Sequence, residues 1–235
     1  MNIPTQKIIS GCSDFLTLDS VAVERLCKYA ELLCQWNEKI NLTAITDPEG
    51  IAEKHFLDCL MIFKYAQIPQ NASVIDVGTG AGFPGVVMKI ARPDIKLTLL
   101  DSLGKRVNFL NEVISQLGLE DTVAVHSRAE DGVIKLRESF DVATARAVAN
   151  MRVLSEYCLP YVKVGGRFVA MKGSAAAEEL EAAKNAIKIL GGEIECFNEF
   201  TLGTSGERGI ISVKKISQTM TKYPRNPAKI SKQPL

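Results

Sequence analysis

A glycine-rich segment is the part of this sequence whose residue types and spacing most directly indicate chemistry. Its letters are DVGTGAGFPG over residues 76–85, and Gly78, Gly80 and Gly82 stand at every second position. The apolar run SVIDVG leads into it and GVVMKIARP follows it, a pattern typical of a strand that turns into a helix. Glycines at such a turn let a ligand approach backbone N–H groups with no Cβ in the way. The segment therefore predicts a nucleotide-type binding site.

Two classes of cofactor use a turn of this kind, and the surrounding residues favour one of them. The dinucleotide fingerprint G-x-G-x-x-G is matched literally by Gly80, Gly82 and Gly85. Counted from Gly78, however, Phe83 stands where that pattern needs its third glycine. Asp76 precedes the turn, and a carboxylate there suits the positively charged sulfonium of S-adenosylmethionine, whereas it would repel a pyrophosphate. We therefore expect S-adenosylmethionine, with a nicotinamide cofactor as the alternative.

Residues at the ends of the next two predicted strands extend this site. The strand KLTLLD ends at Asp101, about twenty residues after the first glycine, where a carboxylate commonly accepts hydrogen bonds from ribose hydroxyls. The strand TVAVHS is followed by Ala129 and Glu130, whose backbone and carboxylate we expect to hold an adenine edge. Each of these acidic residues has a structural alternative as a helix cap.

The elements that position these residues alternate along the chain. Five strand–helix units begin at residue 73, and two strands, EIECFNEFTL and ERGIISVKKI, then follow with only a short link. Parallel neighbours need a crossover of about a dozen residues, so this last pair should be antiparallel. We expect an α/β fold with a Rossmann-like, mostly parallel seven-stranded sheet and an antiparallel last strand. Helical periodicity over residues 19–36 and 48–66 predicts an N-terminal helical extension.

Composition and charge exclude several classes of protein. Apolar types make up 46% of the chain, no apolar run approaches the ~20 residues that span a bilayer, and no signal-peptide pattern is visible. We expect a cytoplasmic protein with no membrane partner. The six cysteines form no C-x-x-C and there are only two histidines, so we expect reduced core thiols and no metal.

The charge is uneven along the chain. From residue 213 to the end there are six basic residues and no acidic one, although the net charge of the chain is only +1. Such a tail indicates contact with a polyanion, and the alternative is a solvated tail with no partner. We therefore divide the chain into a helical cap (1–70), a Rossmann-like domain (71–217) and a basic tail (218–235).

Nine segments carry a family resemblance: WNEKINLTAI (36–45), HFLDCL (55–60), DVGTGAGFPG (76–85), LLDSLGKRVNFL (99–110), SRAE (127–130), ARA (145–147), MKG (171–173), GERG (206–209) and KYPR (222–225). Together they resemble the bacterial small-subunit (16S) ribosomal RNA guanine-N7 methyltransferases, the glucose-inhibited division protein B family. After KYPR that family often continues with a Gly-Thr-Pro-type stretch, whereas this chain has NPAKISKQPL, which leaves the tail's RNA contacts open.

The resemblance implies a class I S-adenosylmethionine-dependent methyltransferase fold. It also implies S-adenosylmethionine as methyl donor, S-adenosylhomocysteine as product, and a monomer that acts on 16S ribosomal RNA or the small ribosomal subunit, not on DNA. With the residues of the turn, the expected cofactor-binding set is Asp76, Gly78, Thr79, Gly80, Phe83, Asp101, Ser102, Leu103, Ala129, Glu130 and Arg146. The expected substrate-binding residues are Asn41, His55, Lys105 and Arg208, and the expected catalytic residues are Arg146 and Lys172.

The sequence lacks the residues that other methyl transfers to bases need, which favours guanine N7 as the acceptor. Enzymes that methylate amino groups typically have (D/N)PP(Y/F) after the fourth strand, where this chain has TARAVAN. Methylation at carbon 5 of a pyrimidine needs a nucleophilic cysteine in the pocket, but Cys158 lies inside the following helix. The N7 lone pair is free, so no general base is required and catalysis is mainly positioning. We expect Arg146 and Lys172 to hold phosphate or the O6 edge. Two alternatives stay open: an NAD-dependent oxidoreductase, and a non-catalytic RNA-binding ribosome-assembly factor.

Overall fold

Seven strands form one sheet in the order β3-β2-β1-β4-β5-β7-β6. The computed structural model describes residues 3–146 and 149–235. The strands are β1 (Ser73–Val77), β2 (Lys96–Asp101), β3 (Thr122–His126), β4 (Phe140–Arg146), β5 (Val162–Lys172), β6 (Gly192–Thr201) and β7 (Glu207–Lys215). The strands β1 to β5 are parallel to one another, and β7 lies antiparallel between β5 and β6. The predicted mostly parallel sheet with an antiparallel last strand is confirmed.

The sheet is covered on both faces, because alternate residues of its strands enter two different hydrophobic cores. Val74 of β1 lies in one core and the next residue, Ile75, lies in the other. The same alternation holds for Val142 and Ala143 of β4. Successive side chains of a strand point to opposite faces, so the two cores lie on the two sides of the sheet.

The first core is formed largely by helices that precede the sheet. These are α1 (Thr5–Cys12), α2 (Ser20–Asn37), α3 (Pro48–Gly50), a π-helical segment (Ile51–Leu57), α4 (Asp58–Leu60) and α5 (Ile62–Tyr65). The helix α2 begins where the sequence predicts it, because the Asp19 carboxylate accepts a hydrogen bond from the Ala22 N–H at 2.7 Å. Leu33 and Phe56 pack in one core with Leu97 of the sheet. The N-terminal helices therefore complete a face of the sheet.

The other helices follow the strands on either side. They are α6 (Gly85–Ala91), α7 (Gly104–Leu117), α8 (Ala129–Leu136), α9 (Met151–Cys158), α10 (Ala176–Ile189) and α11 (Pro227–Lys232). Apolar residues of α6 and α7 belong to the first core, whereas those of α8, α9 and α10 belong to the second. Among the described residues, no cysteine forms a disulfide. Within the described residues, no helix is long and apolar enough to cross a bilayer.

The basic tail is folded against the second core, so it is not an extension into solvent. Ile230 of α11 is completely buried, and Tyr223 is nearly so. The Arg225 guanidinium forms an ion pair with Glu156 of α9 at 2.6 Å, and the Glu156 carboxylate has no exposure. Arg152 of the same helix donates to the carbonyl oxygens of the last two residues. The tail therefore uses part of its positive charge to bind the protein itself.

Candidate functional site

The glycine-rich turn adopts a backbone conformation that demands glycine. Gly78, Gly80 and Gly82 have φ values of 71°, 61° and 97°, which lie in the left-handed region that favours glycine. A Cβ at Gly82 would lie 2.6 Å from Val86 Cγ2, whereas a Cβ at Gly80 would meet nothing within 4 Å. The turn is therefore closely packed on its inner side at Gly82 and open at Gly80.

Asp76 lies beneath this turn, with no exposed surface. Its Oδ2 accepts hydrogen bonds from the Thr79 hydroxyl at 2.6 Å and the Gly85 N–H at 2.9 Å. Its Oδ1 has no hydrogen-bond partner among the residues that the structure describes. Burial raises the pKa of this carboxyl to about 6. The sequence interpretation expected a counter-charge facing the ligand, but the structure places Asp76 inside the protein, where it holds the two ends of the turn together.

A cleft of about 660 Å³ lies beside the ends of the first three strands, and we call it the Asp101 cleft. Its lining includes Gly78, Asp101, Ser102, Ala129, Glu130 and Tyr157. The Asp101 carboxylate accepts from the Gly80 N–H and from the Leu103 N–H, each at 2.9 Å, so it joins the turn to the start of α7. The structure thus brings five of the predicted cofactor residues into one cleft.

A second cleft, of about 740 Å³, lies over the turn itself, and we call it the turn cleft. Thr43, His55, Gly78, Gly80, Phe83 and Arg146 are among its lining residues. The imidazole of His55 stacks on the Phe83 ring with 4.4 Å between centroids. The Arg146 guanidinium lies 4.9 Å from the centroid of the same ring. The Phe83 ring therefore packs against both His55 and Arg146 in the turn cleft.

A network of hydrogen bonds fixes Arg146. Its Nη1 donates to Asp58 Oδ2 at 2.8 Å and to the Lys54 carbonyl at 3.0 Å, and its Nη2 donates to His55 Nδ1 at 3.1 Å. Asp58 also accepts from Arg208 Nε at 3.1 Å, so one buried carboxylate holds two arginines. Burial, together with the charge of Arg146, lowers the pKa of His55 to about 3, and the imidazole is neutral near pH 7.

The same residues border a third cavity, of about 750 Å³, which we call the Arg208 pocket. Its lining includes Lys54, Asp58, Arg146, Lys172, Phe200 and Arg208. The Lys172 ammonium is not free, because it donates to the Ala149 carbonyl at 2.6 Å and forms an ion pair with Glu179 at 2.7 Å. Phe200, which the sequence did not single out, stacks on Tyr65 with 4.8 Å between ring centroids.

The other two predicted substrate residues lie elsewhere. Asn41 and Lys105 line a surface depression at the start of α7, whereas His55 and Arg208 line the Arg208 pocket. Asp58 was not among the predicted site residues, although its spacing from His55 in HFLDCL places the two on one helical face. In the part of the chain that the structure describes, no group of histidine, cysteine or acidic residues could hold a metal ion.

Solved structures define the class of fold. An S-adenosylmethionine-dependent methyltransferase from Aquifex aeolicus superposes with a TM-score of 0.55 at 17% identity, covering 78% of this chain and 98% of that one. TYW2 from M. jannaschii, solved in complex with AdoMet, superposes with a TM-score of 0.57 at 14% identity, covering 74% of this chain and 80% of that one. The fold is the predicted class I S-adenosylmethionine-dependent methyltransferase fold.

Sequence comparison identifies the family within this class. A family model described as GidB, rRNA small subunit methyltransferase G, matches residues 22–210. The protein named Ribosomal RNA small subunit methyltransferase G from Clostridium perfringens (strain 13 / Type A) is 52% identical over 227 residues, which cover 92% of this chain and 95% of the relative. Its namesake from Clostridium beijerinckii is 52% identical over 223 residues, which cover 94% of this chain and 93% of the relative. The chain belongs to the rRNA small subunit methyltransferase G family, as its motifs predicted.

Proposed function

We propose that this protein transfers the methyl group of S-adenosylmethionine to N7 of a guanine in small-subunit (16S) ribosomal RNA. The observation that carries the proposal is that three cavities share lining residues. Gly78 lines both the Asp101 cleft and the turn cleft, and His55 and Arg146 line both the turn cleft and the Arg208 pocket. A donor bound along the first two would therefore end beside the third.

The residues of the Asp101 cleft fit a nucleoside. The Asp101 carboxylate is 3% exposed and lines the cleft, and an oxygen that already accepts one N–H can still accept a ribose hydroxyl. Ala129 and Glu130 line the same cleft and would hold the adenine edge, with Ser102 and Leu103 beside the ribose. Gly78, Thr79 and Gly80 present backbone toward the rest of the donor. When bound, S-adenosylmethionine supplies an electrophilic methyl group.

The Arg208 pocket fits the acceptor base. Nucleobases that leave a helix stack on aromatic side chains, and Phe200 provides such a ring in the pocket wall. Arg208 and Lys54 lie in the same wall and would bind phosphate, which gives RNA binding its electrostatic component. Arginine is also the usual donor to the O6 edge of guanine, and Arg146 is the arginine between this pocket and the turn cleft.

The groups around Arg146 favour catalysis by positioning. His55 has both ring nitrogens in hydrogen bonds, to Arg146 and to Thr43, and the pKa of its imidazole is low. Asp58 is engaged by two arginines. Neither group is available as a proton acceptor, and the N7 lone pair requires none. The Lys172 ammonium is bonded to Ala149 and Glu179, so it would position these two residues rather than contact the base.

The proposal extends to the setting of the reaction. The partner is 16S ribosomal RNA or the small ribosomal subunit, and the enzyme acts as a cytoplasmic monomer with neither a membrane nor a DNA partner. Residues 1–70, 71–217 and 218–235 are its helical cap, methyltransferase domain and basic tail.

The test is methyl transfer in vitro from S-adenosylmethionine with a labelled methyl group. Small subunits, and separately protein-free 16S RNA, are isolated from cells that lack the gene, incubated with enzyme and digested to nucleosides for mass spectrometry. We expect the label in 7-methylguanosine, with Asp101→Ala as the variant that loses it. Label in a different nucleoside would contradict the acceptor. A purified protein that carries a nicotinamide dinucleotide would support the oxidoreductase, and one that binds subunits without transfer would support the assembly factor.

A further inference from the structure

The proton on the His55 ring can be assigned from its neighbours. An arginine guanidinium donates hydrogen bonds and accepts none. Because Arg146 Nη2 lies 3.1 Å from His55 Nδ1, that nitrogen must be the acceptor and carries no proton. The ring is neutral, so its one proton is on Nε2. Nε2 lies 2.8 Å from Thr43 Oγ1 and donates to it.

This assignment fixes the direction of the Thr43 hydroxyl. Thr43 Oγ1 also accepts a hydrogen bond from the Ile45 N–H at 3.0 Å. A hydroxyl has two acceptor lone pairs and one donor hydrogen. Both lone pairs are therefore used, and the hydrogen is left to donate. Among the described residues it has no acceptor, and Thr43 lines the turn cleft.

The lining of the turn cleft suits an anionic ligand group, which would accept the hydrogen bond from Thr43. Arg106 and Arg146 both line the cleft, so its charged lining is basic. Arg106 is bound only loosely to Asp101, with 3.6 Å between Nη1 and Oδ2, and its side chain is 36% exposed. A hydroxyl that can only donate, in a cleft that two guanidinium groups also line, is suited to a carboxylate.

We propose that Thr43 binds the carboxylate at the amino-acid end of S-adenosylmethionine. The inference rests on the proposed function, because it takes the adenosine end of that cofactor to lie in the Asp101 cleft. The amino-acid end then extends past Gly78, which the two clefts share, into the turn cleft. The link between α2 and α3 thus contributes a ligand-binding residue to a site otherwise formed at the ends of the strands.

The test compares two ligands by calorimetry. S-adenosylhomocysteine has the amino-acid end, and 5′-methylthioadenosine has the same nucleoside and sulfur without it. We expect Thr43→Val to weaken S-adenosylhomocysteine binding about ten-fold, the usual size of a lost hydrogen bond to a charged group. Its binding of 5′-methylthioadenosine should equal that of the wild type. Thr43→Ser, which keeps the hydroxyl, should bind both ligands as the wild type does.

Two results would overturn the inference while leaving the proposed function intact. One is wild-type affinity of Thr43→Val for S-adenosylhomocysteine. The other is an equal loss of affinity for both ligands, which would show that Thr43 acts on the shape of the cleft and not on the carboxylate. A wild-type protein that binds neither ligand would instead overturn the proposed function, and the role of Thr43 with it.

Discussion

The charge of Asp76 lies below the turn and away from water. Its carboxylate is completely buried, and among the described residues it accepts hydrogen bonds from the Thr79 hydroxyl and the Gly85 N–H. Desolvation disfavours the charged form of a carboxyl, and this is the main reason that the pKa of Asp76 rises to about 6. The turn is therefore stabilised by a group whose ionisation works against folding.

This has a measurable effect on the pH dependence of stability. An unfolded aspartate has a pKa of about 3.9, so between pH 4 and pH 6 the folded protein binds the proton more tightly than the unfolded chain does. The contribution of Asp76 to the free energy of unfolding should then fall as pH rises through this window, and level off above it. Urea denaturation from pH 4.5 to pH 7.5 checks this against Asp76→Asn, which has no such proton. Parallel curves for the two proteins would contradict the raised pKa.

Single residues of the site were predictable to different degrees. Asp101 ends one predicted strand and Glu130 follows the next. Because parallel strands end at one edge of a sheet, sequence order alone indicates that the two residues share a cleft. Thr43 and Asp58 could not be placed in this way. Asp58 forms a hydrogen bond with Arg146, and Thr43 lines the turn cleft with the same arginine. Arg146 is distant from both in sequence and comes near them because the N-terminal helices pack on the sheet. Asp76 was expected to face the ligand. Its burial was not foreseen, because the sequence does not show how deep a side chain lies.

At the scale of elements, the helix α2 fixes the shape of the turn. The Tyr29 hydroxyl donates to the Ala81 carbonyl, and the Tyr29 ring stacks on Phe56 with 5.5 Å between centroids. Phe83 of the turn packs against both rings, at centroid distances of 5.6 Å and 6.3 Å. An aromatic cluster thus joins a helix before the sheet to the glycine-rich turn.

Substitution of two glycines separates backbone strain from packing against α2. Gly82 and Gly118 both have positive φ, at 97° and 57°, but an added Cβ would lie 2.8 Å from the Tyr29 hydroxyl at Gly82 and would meet nothing within 4 Å at Gly118. We expect Gly118→Ala to lower the free energy of unfolding by about 1 kcal/mol. Gly82→Ala should lower it by about 3 kcal/mol, since overpacking adds to the strain. Equal losses in urea denaturation would show that Tyr29 of α2 and Val86 of α6 both move to make room for the extra methyl.

The elements that sequence missed are short or irregular. The helices α1 and α11 have 8 and 6 residues, too few for a helical repeat to be distinguished from chance. The helix predicted over residues 48–66 contains a π-helical segment, Ile51–Leu57, because periodicity does not resolve a local change of helical pitch. The sequence GRFVAMKG (166–173) predicts the fifth strand, but β5 already starts at Val162. The prediction missed its first residues because Lys163 and Gly165 lack the apolar character of a strand.

At the scale of the whole molecule, the tail closes one side of the Asp101 cleft. Pro227 of α11 lines this cleft together with Leu154 and Tyr157 of α9. The Arg225–Glu156 pair, formed with the same helix, anchors the tail there. The basic tail is thus part of the wall of the Asp101 cleft.

Two substitutions in the tail test whether its basic residues act by stabilising the fold or by supplying positive charge. Arg225→Ala would leave the buried Glu156 carboxylate without its partner, which we expect to lower the free energy of unfolding by about 3 kcal/mol. Lys229→Ala removes the same charge from an exposed position and should change stability by less than about 0.5 kcal/mol. Thermal or urea denaturation measures both. If both variants bind small subunits equally weakly but unfold like the wild type, the tail acts by charge alone.

The hydrophobic core shared by the N-terminal helices and the sheet limits how this enzyme can be recombined. Leu33 and Phe56 cover residues such as Leu97 that would otherwise face water. A chimera that joins residues 71–217 of this chain to the helices of a distant relative would have to match side chains across the whole of that face. We therefore expect the sheet to be exchanged successfully between homologues only together with the N-terminal helices. Substitutions in the two parts should accordingly be coupled during evolution.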